Sequence, residues 1–174
     1  MKPSSRTSII LTAIAGATIV AILIFQRTNQ PSIALTEKCI AIQVADGDSI
    51  TVRQTDGSQM SVELCGIDAP EVKQGKSPEQ PLANEAKQKL LKLVVAADNQ
   101  LMIVPVEKDN DGRTVAEVMA HGQGEAEISF QEELLKNGLA RTRDSSVECP
   151  NHLAFEQAQN IAKASKLEYG TSPI

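Results

Sequence analysis

The stretch CIAIQVADGDSITVRQTDGSQMSVELCGI, residues 39–67, decides the fold. Apolar and polar residues alternate through it, and turn-forming residues interrupt the alternation twice. This pattern predicts three successive strands over 39–46, 48–54 and 59–67. The tetrapeptide TDGS, residues 55–58, favours a hairpin between the second and third strands. This part of the chain is therefore predicted to be β-structure.

Three helices are predicted downstream. The segment LANEAKQKLLKLVVAA, residues 82–97, has apolar side chains at helical spacing. The sequence Ser-Phe-Gln-Glu from Ser129 has the form of a capping box, and Gly138 stands where a glycine would end the short helix that follows. A last helix is predicted from about Asn151 to about Lys166.

Two further strands, over 100–108 and 113–121, are predicted on either side of the turn DNDG at 109–112. The order is therefore three strands, a helix, two strands and two helices. This order predicts an α+β, mainly β, fold: a five-stranded Greek-key barrel of the OB type with about three helices. The open face of such barrels commonly binds oligonucleotides.

The N-terminal segment SIILTAIAGATIVAILIF, residues 8–25, contains no charge and is long enough to span a membrane as a helix. Because Lys2 and Arg6 precede it, we expect residues 1–7 to stay in the cytoplasm and the rest of the chain to be extracytoplasmic. The segment therefore predicts a membrane-spanning helix before the barrel.

This N-terminal segment is expected to remain as an anchor. A removable signal peptide would have a shorter apolar region and a nearby cleavage site, whereas the one candidate, Ser-Ile-Ala at 32–34, lies late. Residues 26–37 are then a tether and residues 38–174 the folded domain. Cleavage of the segment would make the protein secreted instead.

The exported part of the chain is acidic. Lys2, Arg6 and Arg27 are the charged residues among 1–34, so the remaining 14 basic and 22 acidic side chains give residues 35–174 a net charge of −8. A polyanion would be repelled at long range by that charge. Nucleic-acid binding would therefore need a local basic patch or bound cations.

The three cysteines, Cys39, Cys65 and Cys149, are compatible with one disulfide and one free thiol in an oxidising compartment. The sequence leaves the three pairings open. No zinc pattern is present, because there is no CxxC and the histidines, His121 and His152, are isolated.

Two acidic turns lie at strand ends: Asp-Gly-Asp at 46–48 and Asp-Ala-Pro-Glu at 68–71. A five-stranded barrel can bring them together, which would place Asp48, Asp68 and Glu71 in one pocket. Such hard oxygen ligands suit Ca²⁺ or Mg²⁺ better than zinc or copper. Alternatively, the same residues are ordinary polar turns.

The motifs VADGDSI (44–50), GIDAPE (66–71) and DNDGR (109–113), with a predicted helix between the last two, resemble the thermonuclease (staphylococcal nuclease) family. The resemblance extends over roughly residues 39–170. It implies an OB barrel with added helices. It also implies Ca²⁺-dependent phosphodiester hydrolysis, with single-stranded DNA or RNA as the substrate; the choice between internal and terminal cleavage stays open.

The resemblance also implies roles for individual residues. Asp48, Asp68 and the backbone carbonyl of Ala69 would bind Ca²⁺, and Asp46 would support them. The ion would then neutralise a phosphate oxygen.

Two further residues complete the implied catalytic group. Glu71 would act as general base on the attacking water. Arg113 would bind the phosphate and leaving oxygen through its several donors.

One position departs from the family pattern. Glu63 stands where the family has a second catalytic arginine. One charged donor in a closed site is worth ~3–4 kcal/mol, so a reversed charge beside a phosphate should cost several kcal/mol of transition-state stabilisation. Reduced activity is therefore expected. Arg53, Arg141 and Arg143 are candidates to replace the lost charge, and the sequence does not choose among them.

Three functions stay open from the sequence. Retention of most catalytic positions favours a nuclease. Glu63, the scarcity of aromatic residues and the acidic charge favour a catalytically silenced OB module that binds nucleic acid or a protein partner. A calcium-stabilised domain with a structural role is the third.

Overall fold

The computed structural model describes residues 35–72, 78, 80–122, 126–143 and 148–167. In this part of the chain, no helix is both long enough and apolar enough to cross a membrane. The span predicted at 8–25, the segment before it and most of the tether lie outside the described residues and stay predictions.

The described chain contains eight strands and three helices. The strands are β1 (Glu37–Val44), β2 (Ser49–Arg53), β3 (Gln59–Leu64), β4 (Ile67–Asp68), β5 (Gln100–Lys108), β6 (Thr114–His121), β7 (Glu127–Ser129) and β8 (Arg141–Thr142). The helices are α1 (Ala83–Ala96), α2 (Phe130–Lys136) and α3 (His152–Ala164).

Five strands form a closed barrel in the order β3-β2-β1-β5-β6. Neighbours along this order pair antiparallel, and a parallel pairing of β3 with β6 closes the barrel. The short β7 extends the sheet beyond β6. The predicted α+β, mainly β, OB-type barrel with three helices is thus confirmed.

The predicted third strand, 59–67, was too long. Its alternation breaks at Gly66, whose φ of 74° lies in the left-handed region that favours glycine. As a result β3 ends at Leu64, and Ile67–Asp68 pairs separately with β8. The strands β4, β7 and β8 contain only two or three residues, too few for a period-two pattern to be recognised.

Helix α2 has the ends that its sequence predicts. Ser129 Oγ accepts the backbone N–H of Glu132 at 3.3 Å. At the other end Gly138 has a φ of 66°, and the N–H of Leu139 donates to the carbonyl of Leu134 at 3.0 Å. These caps define the ends of the helix, and its buried Phe130 and Leu134 pack it into the hydrophobic core.

A disulfide joins Cys65, just after β3, to Cys149, just before α3, whereas Cys39 is free and buried. The closed loop spans 84 residues. Cross-linking a loop of this length restricts the unfolded chain, which in the entropic account stabilises the fold by ~4–5 kcal/mol.

Reduction of this disulfide is therefore expected to lower the free energy of unfolding by ~2–5 kcal/mol. Urea denaturation with and without dithiothreitol measures the effect. The control is the Cys65→Ser/Cys149→Ser variant, whose unfolding midpoint should not respond to the reductant. Equal midpoints for the oxidised and reduced natural chain would contradict a stabilising role.

Candidate functional site

The two acidic turns lie against each other. Asp48 Oδ2 accepts the backbone N–H of Ala69 at 2.7 Å, and the N–H of Leu64 donates to the carbonyl of Asp48 at 2.8 Å. Gly47 permits this approach, because a Cβ there would lie 2.7 Å from the Cβ atoms of Ala69 and Ala86. The structure thus brings together the turns that the sequence predicted to meet.

A cavity of ≈ 360 Å³ opens beside this contact. Its lining contains five residues singled out from the sequence and three neighbours: Asp46, Asp48, Glu63, Glu71 and Arg113, with Val72, Pro78 and Gln80. Asp68 lies outside this lining and is partly buried. Acids therefore dominate the charge of the cavity wall.

Burial raises the pKa of Asp48 to about 8. The N–H of Ala69 opposes the rise, while the negative charges of Glu63 and Asp46 add to it. Asp46 is itself buried, and its Oδ1 accepts the N–H of Asp48 at 3.2 Å. A carboxylate in these surroundings is charged at neutral pH only when a cation or another donor compensates it.

The donor set of these turns fits a hard cation. Asp48 and Asp68 contribute carboxylate oxygens and Ala69 a carbonyl oxygen, and Ca²⁺ binds oxygen ligands of this kind. Both carboxylate oxygens of Asp68 also face arginines, Arg141 and Arg143. Within the described ranges, no three Asp, Glu, His or Cys side chains form a metal-binding cluster by themselves. Backbone oxygen or water would therefore complete the coordination of an ion held here.

Glu71 is attached to the cavity wall through its backbone. Its N–H donates to Gln80 Oε1 at 3.3 Å, and its carbonyl accepts the N–H of Gln80 at 3.0 Å. Burial raises the pKa of the Glu71 carboxyl, and the charges of Asp46 and Asp68 raise it further. A raised pKa makes a carboxylate a better proton acceptor near neutral pH.

Arg113 is held by two carboxylates. Its Nε donates to Asp109 Oδ2 at 2.7 Å and its Nη1 to Glu63 Oε2 at 2.6 Å. The Asp109 side chain also accepts the backbone N–H of Arg113 at 2.8 Å, which fixes the DNDG turn. The altered position, Glu63, is thus in direct contact with the arginine that the sequence assigned to the phosphate.

Glu63 is largely buried, with 9% of its side chain exposed. Burial raises the pKa of the Glu63 carboxyl, and the positive charges of Arg113 and Arg143 oppose that rise. The sequence reasoning missed the contact with Arg113. The contact follows from the parallel pairing of β3 with β6, in which Glu63 pairs with Val115. Arg113 precedes Val115 by two residues and so lies on the same face as Val115.

The three candidate replacement arginines lie in different places. Arg53 is at the far end of β2, four residues or roughly 13 Å from Ser49, which pairs with Glu63. Arg141 Nη2 lies 2.7 Å from Asp68 Oδ2. Arg143 Nη2 lies 3.2 Å from Asp68 Oδ1 and 3.5 Å from Glu63 Oε1.

The chain is similar in sequence to known proteins of one family. The family model described as "Staphylococcal nuclease homologue" matches residues 61–169. The thermonuclease of Staphylococcus hyicus is 34% identical over 125 residues, which cover 72% of this chain and 70% of that protein. The thermonuclease of Staphylococcus intermedius is 29% identical over 168 residues, which cover 92% and 94%.

Proposed function

The chain belongs to the staphylococcal nuclease family, and from that premise we propose that it hydrolyses phosphodiester bonds of single-stranded DNA or RNA in a Ca²⁺-dependent reaction. One observation carries the proposal. The contact between Asp48 and Ala69 joins the two acidic turns beside a cavity that also contains Glu71 and Arg113.

The metal site is proposed to use the two turns. Asp48, Asp68 and the carbonyl of Ala69 would hold Ca²⁺, and Asp46 would support Asp48. A bound Ca²⁺ supplies positive charge that polarises a phosphate oxygen and stabilises the charge developing on it.

The chain's own side chains would perform the remaining steps. The Glu71 carboxylate takes a proton from the attacking water, which its raised pKa favours. Arg113 donates to the phosphate and to the leaving oxygen. Because Glu63 already accepts from Arg113 Nη1, the phosphate must share that donor or displace the carboxylate, and the activity is reduced accordingly.

The domain, residues 38–174, is proposed to work outside the cytoplasm, on a membrane anchor at 8–25 and a tether at 26–37. Cleavage of the anchor would make it secreted. The disulfide supports an oxidising compartment, because such bonds are rare in the reducing cytosol.

A second function is favoured by the ion pair between Glu63 and Arg113. If the carboxylate keeps the guanidinium from the phosphate, the barrel is a catalytically silenced module that binds nucleic acid or a protein partner. This module would bind single strands without cutting them.

Incubation of the full-length protein in detergent with labelled single-stranded DNA or RNA distinguishes the two functions. We expect cleavage in millimolar Ca²⁺, none with a chelator, and a loss of at least ~100-fold in Arg113→Ala. Arg53→Ala, an exposed arginine far along β2, is the matched control and should cleave normally. Absence of cleavage by the folded natural protein would favour the silenced module.

A further inference from the structure

We propose that Arg143 is a second phosphate-binding residue, which supplies beside Arg113 the positive charge that Glu63 does not. This inference rests on the proposed nuclease function and deepens it. It assigns the role to one of the three arginines that the sequence could not distinguish.

The site needs such a residue on electrostatic grounds. Residues 35–174 carry a net charge of −8, and the cavity beside Asp48 contains four carboxylates, those of Asp46, Asp48, Glu63 and Glu71. A substrate phosphate brings a further negative charge. Besides the proposed Ca²⁺, Arg113 is the positively charged residue in the described lining of this cavity, and it is already paired with Glu63 and Asp109.

Arg113 and Arg143 converge on one anionic group. Glu63 Oε2 lies 2.6 Å from Arg113 Nη1, and Glu63 Oε1 lies 3.5 Å from Arg143 Nη2. Two oxygens of one carboxylate thus face two different guanidinium groups. A phosphate, which also presents two oxygens, can be bound by the same pair of donors.

A second cavity lies between these two arginines. It measures ≈ 160 Å³ and its lining includes Glu63, Asp109, Arg113 and Arg143. The side chain of Arg143 is 44% exposed, so a ligand in solution can reach it. Since Glu63 and Arg113 line both cavities, this one adjoins the proposed catalytic pocket.

The backbone fixes Arg143 in position. Its N–H donates to the carbonyl of Gly66 at 2.9 Å, and the preceding Thr142 pairs with Ile67. The N–H of Thr142 also donates to Gln159 Oε1 of α3 at 2.6 Å. The backbone at 142–143 is therefore anchored to both the barrel and a helix, and this places the Arg143 side chain beside Glu63.

The other two arginines are less suited. Arg141 is 59% exposed, contacts Asp68, and lines neither of the two cavities. Arg53 lies at the far end of β2. Of the three candidates, Arg143 is the one that faces Glu63.

The test compares four variants of the full-length protein: Arg143→Ala, Arg143→Lys, Arg141→Ala and Arg53→Ala. We expect Arg143→Ala to lower kcat/KM on single-stranded DNA by ~30- to 100-fold, and Arg143→Lys to recover part of the loss. Arg53→Ala should be unchanged. Arg141→Ala tests for an indirect effect through Asp68. We expect its loss of kcat/KM to be much smaller than the loss in Arg143→Ala.

A binding measurement gives an independent readout. With a chelator present, fluorescence anisotropy of a labelled single-stranded oligodeoxynucleotide is followed against salt. Loss of one phosphate contact should make the slope of log K against log salt shallower by ~0.7 in Arg143→Ala. Thermal denaturation checks that each variant is folded.

Two results would overturn the inference. One is an Arg143→Ala variant that matches Arg53→Ala in both assays. The other is an equal loss in Arg141→Ala with a raised Ca²⁺ requirement, which would mean that Arg143 acts by orienting Asp68. If the natural protein does not cleave but Arg143→Ala still has the shallower salt slope, the nuclease function fails and the phosphate contact stands.

Discussion

Replacement of Asp48 by asparagine is expected to stabilise the calcium-free protein at pH 8, to remove its stabilisation by Ca²⁺, and to lower cleavage by at least ~100-fold. Asparagine keeps an oxygen that can accept the N–H of Ala69, so the contact between the two turns should persist. The variant removes the negative charge and little else.

The pH dependence follows from the raised pKa. The pKa of Asp48 is about 8 in the folded protein, against 3.8 for an ordinary aspartate. Between these values the folded state binds a proton at Asp48 that the unfolded state releases, so the contribution of Asp48 to stability is largest below about pH 4 and is lost as the pH rises to about 8. Because Glu63, whose pKa burial also raises, interacts with Asp48 and carries part of the buried charge, we expect a total of ~3 kcal/mol, below the ~6 kcal/mol that Asp48 alone would give.

Urea denaturation at pH 5 and pH 8, with a chelator or with millimolar Ca²⁺, measures these effects. The matched control is Asp98→Asn, the same chemical change at an exposed position after α1. Two results would contradict the assignment: the same pH dependence in Asp48→Asn as in the natural protein, or the same stabilisation of both by Ca²⁺.

The barrel could be predicted because its main strands and helices carry strong local signals. The alternation in 39–67, the turns at 55–58 and 109–112, and the cap at Ser129 each specify local structure. The division of the third strand was missed, because Gly66 with its positive φ interrupts an apolar run without changing its composition.

The candidate site was only partly predictable. The sequence motifs identified Asp48, Glu71 and Arg113, which line one cavity in the structure. The ion pair between Glu63 and Arg113 joins residues 50 positions apart, and it depends on the parallel pairing that closes the barrel. The choice of one compensating arginine among Arg53, Arg141 and Arg143 likewise required the three-dimensional arrangement.

Replacement of Glu63 by glutamine is expected to raise kcat/KM by ~100-fold. Glutamine retains an oxygen that can accept from Arg113 Nη1, so the guanidinium should stay in place. The change removes a negative charge that competes with the substrate for Arg113 and Arg143. At an effective dielectric constant of ~20, a carboxylate and a phosphate oxygen ~5 Å apart repel each other by ~3 kcal/mol, which corresponds to the expected gain.

The measurement is steady-state cleavage of single-stranded DNA in saturating Ca²⁺, and Glu107→Gln is the matched control. Glu107 lines the same small cavity as Glu63 but is exposed, so neutralising its better-screened charge should change the rate by less than ~3-fold. A gain confined to Glu63→Gln would show that its carboxylate restrains an otherwise intact site. A loss of activity in a folded Glu63→Gln protein would mean that the carboxylate assists the reaction by holding Arg113 and Arg143 toward the phosphate.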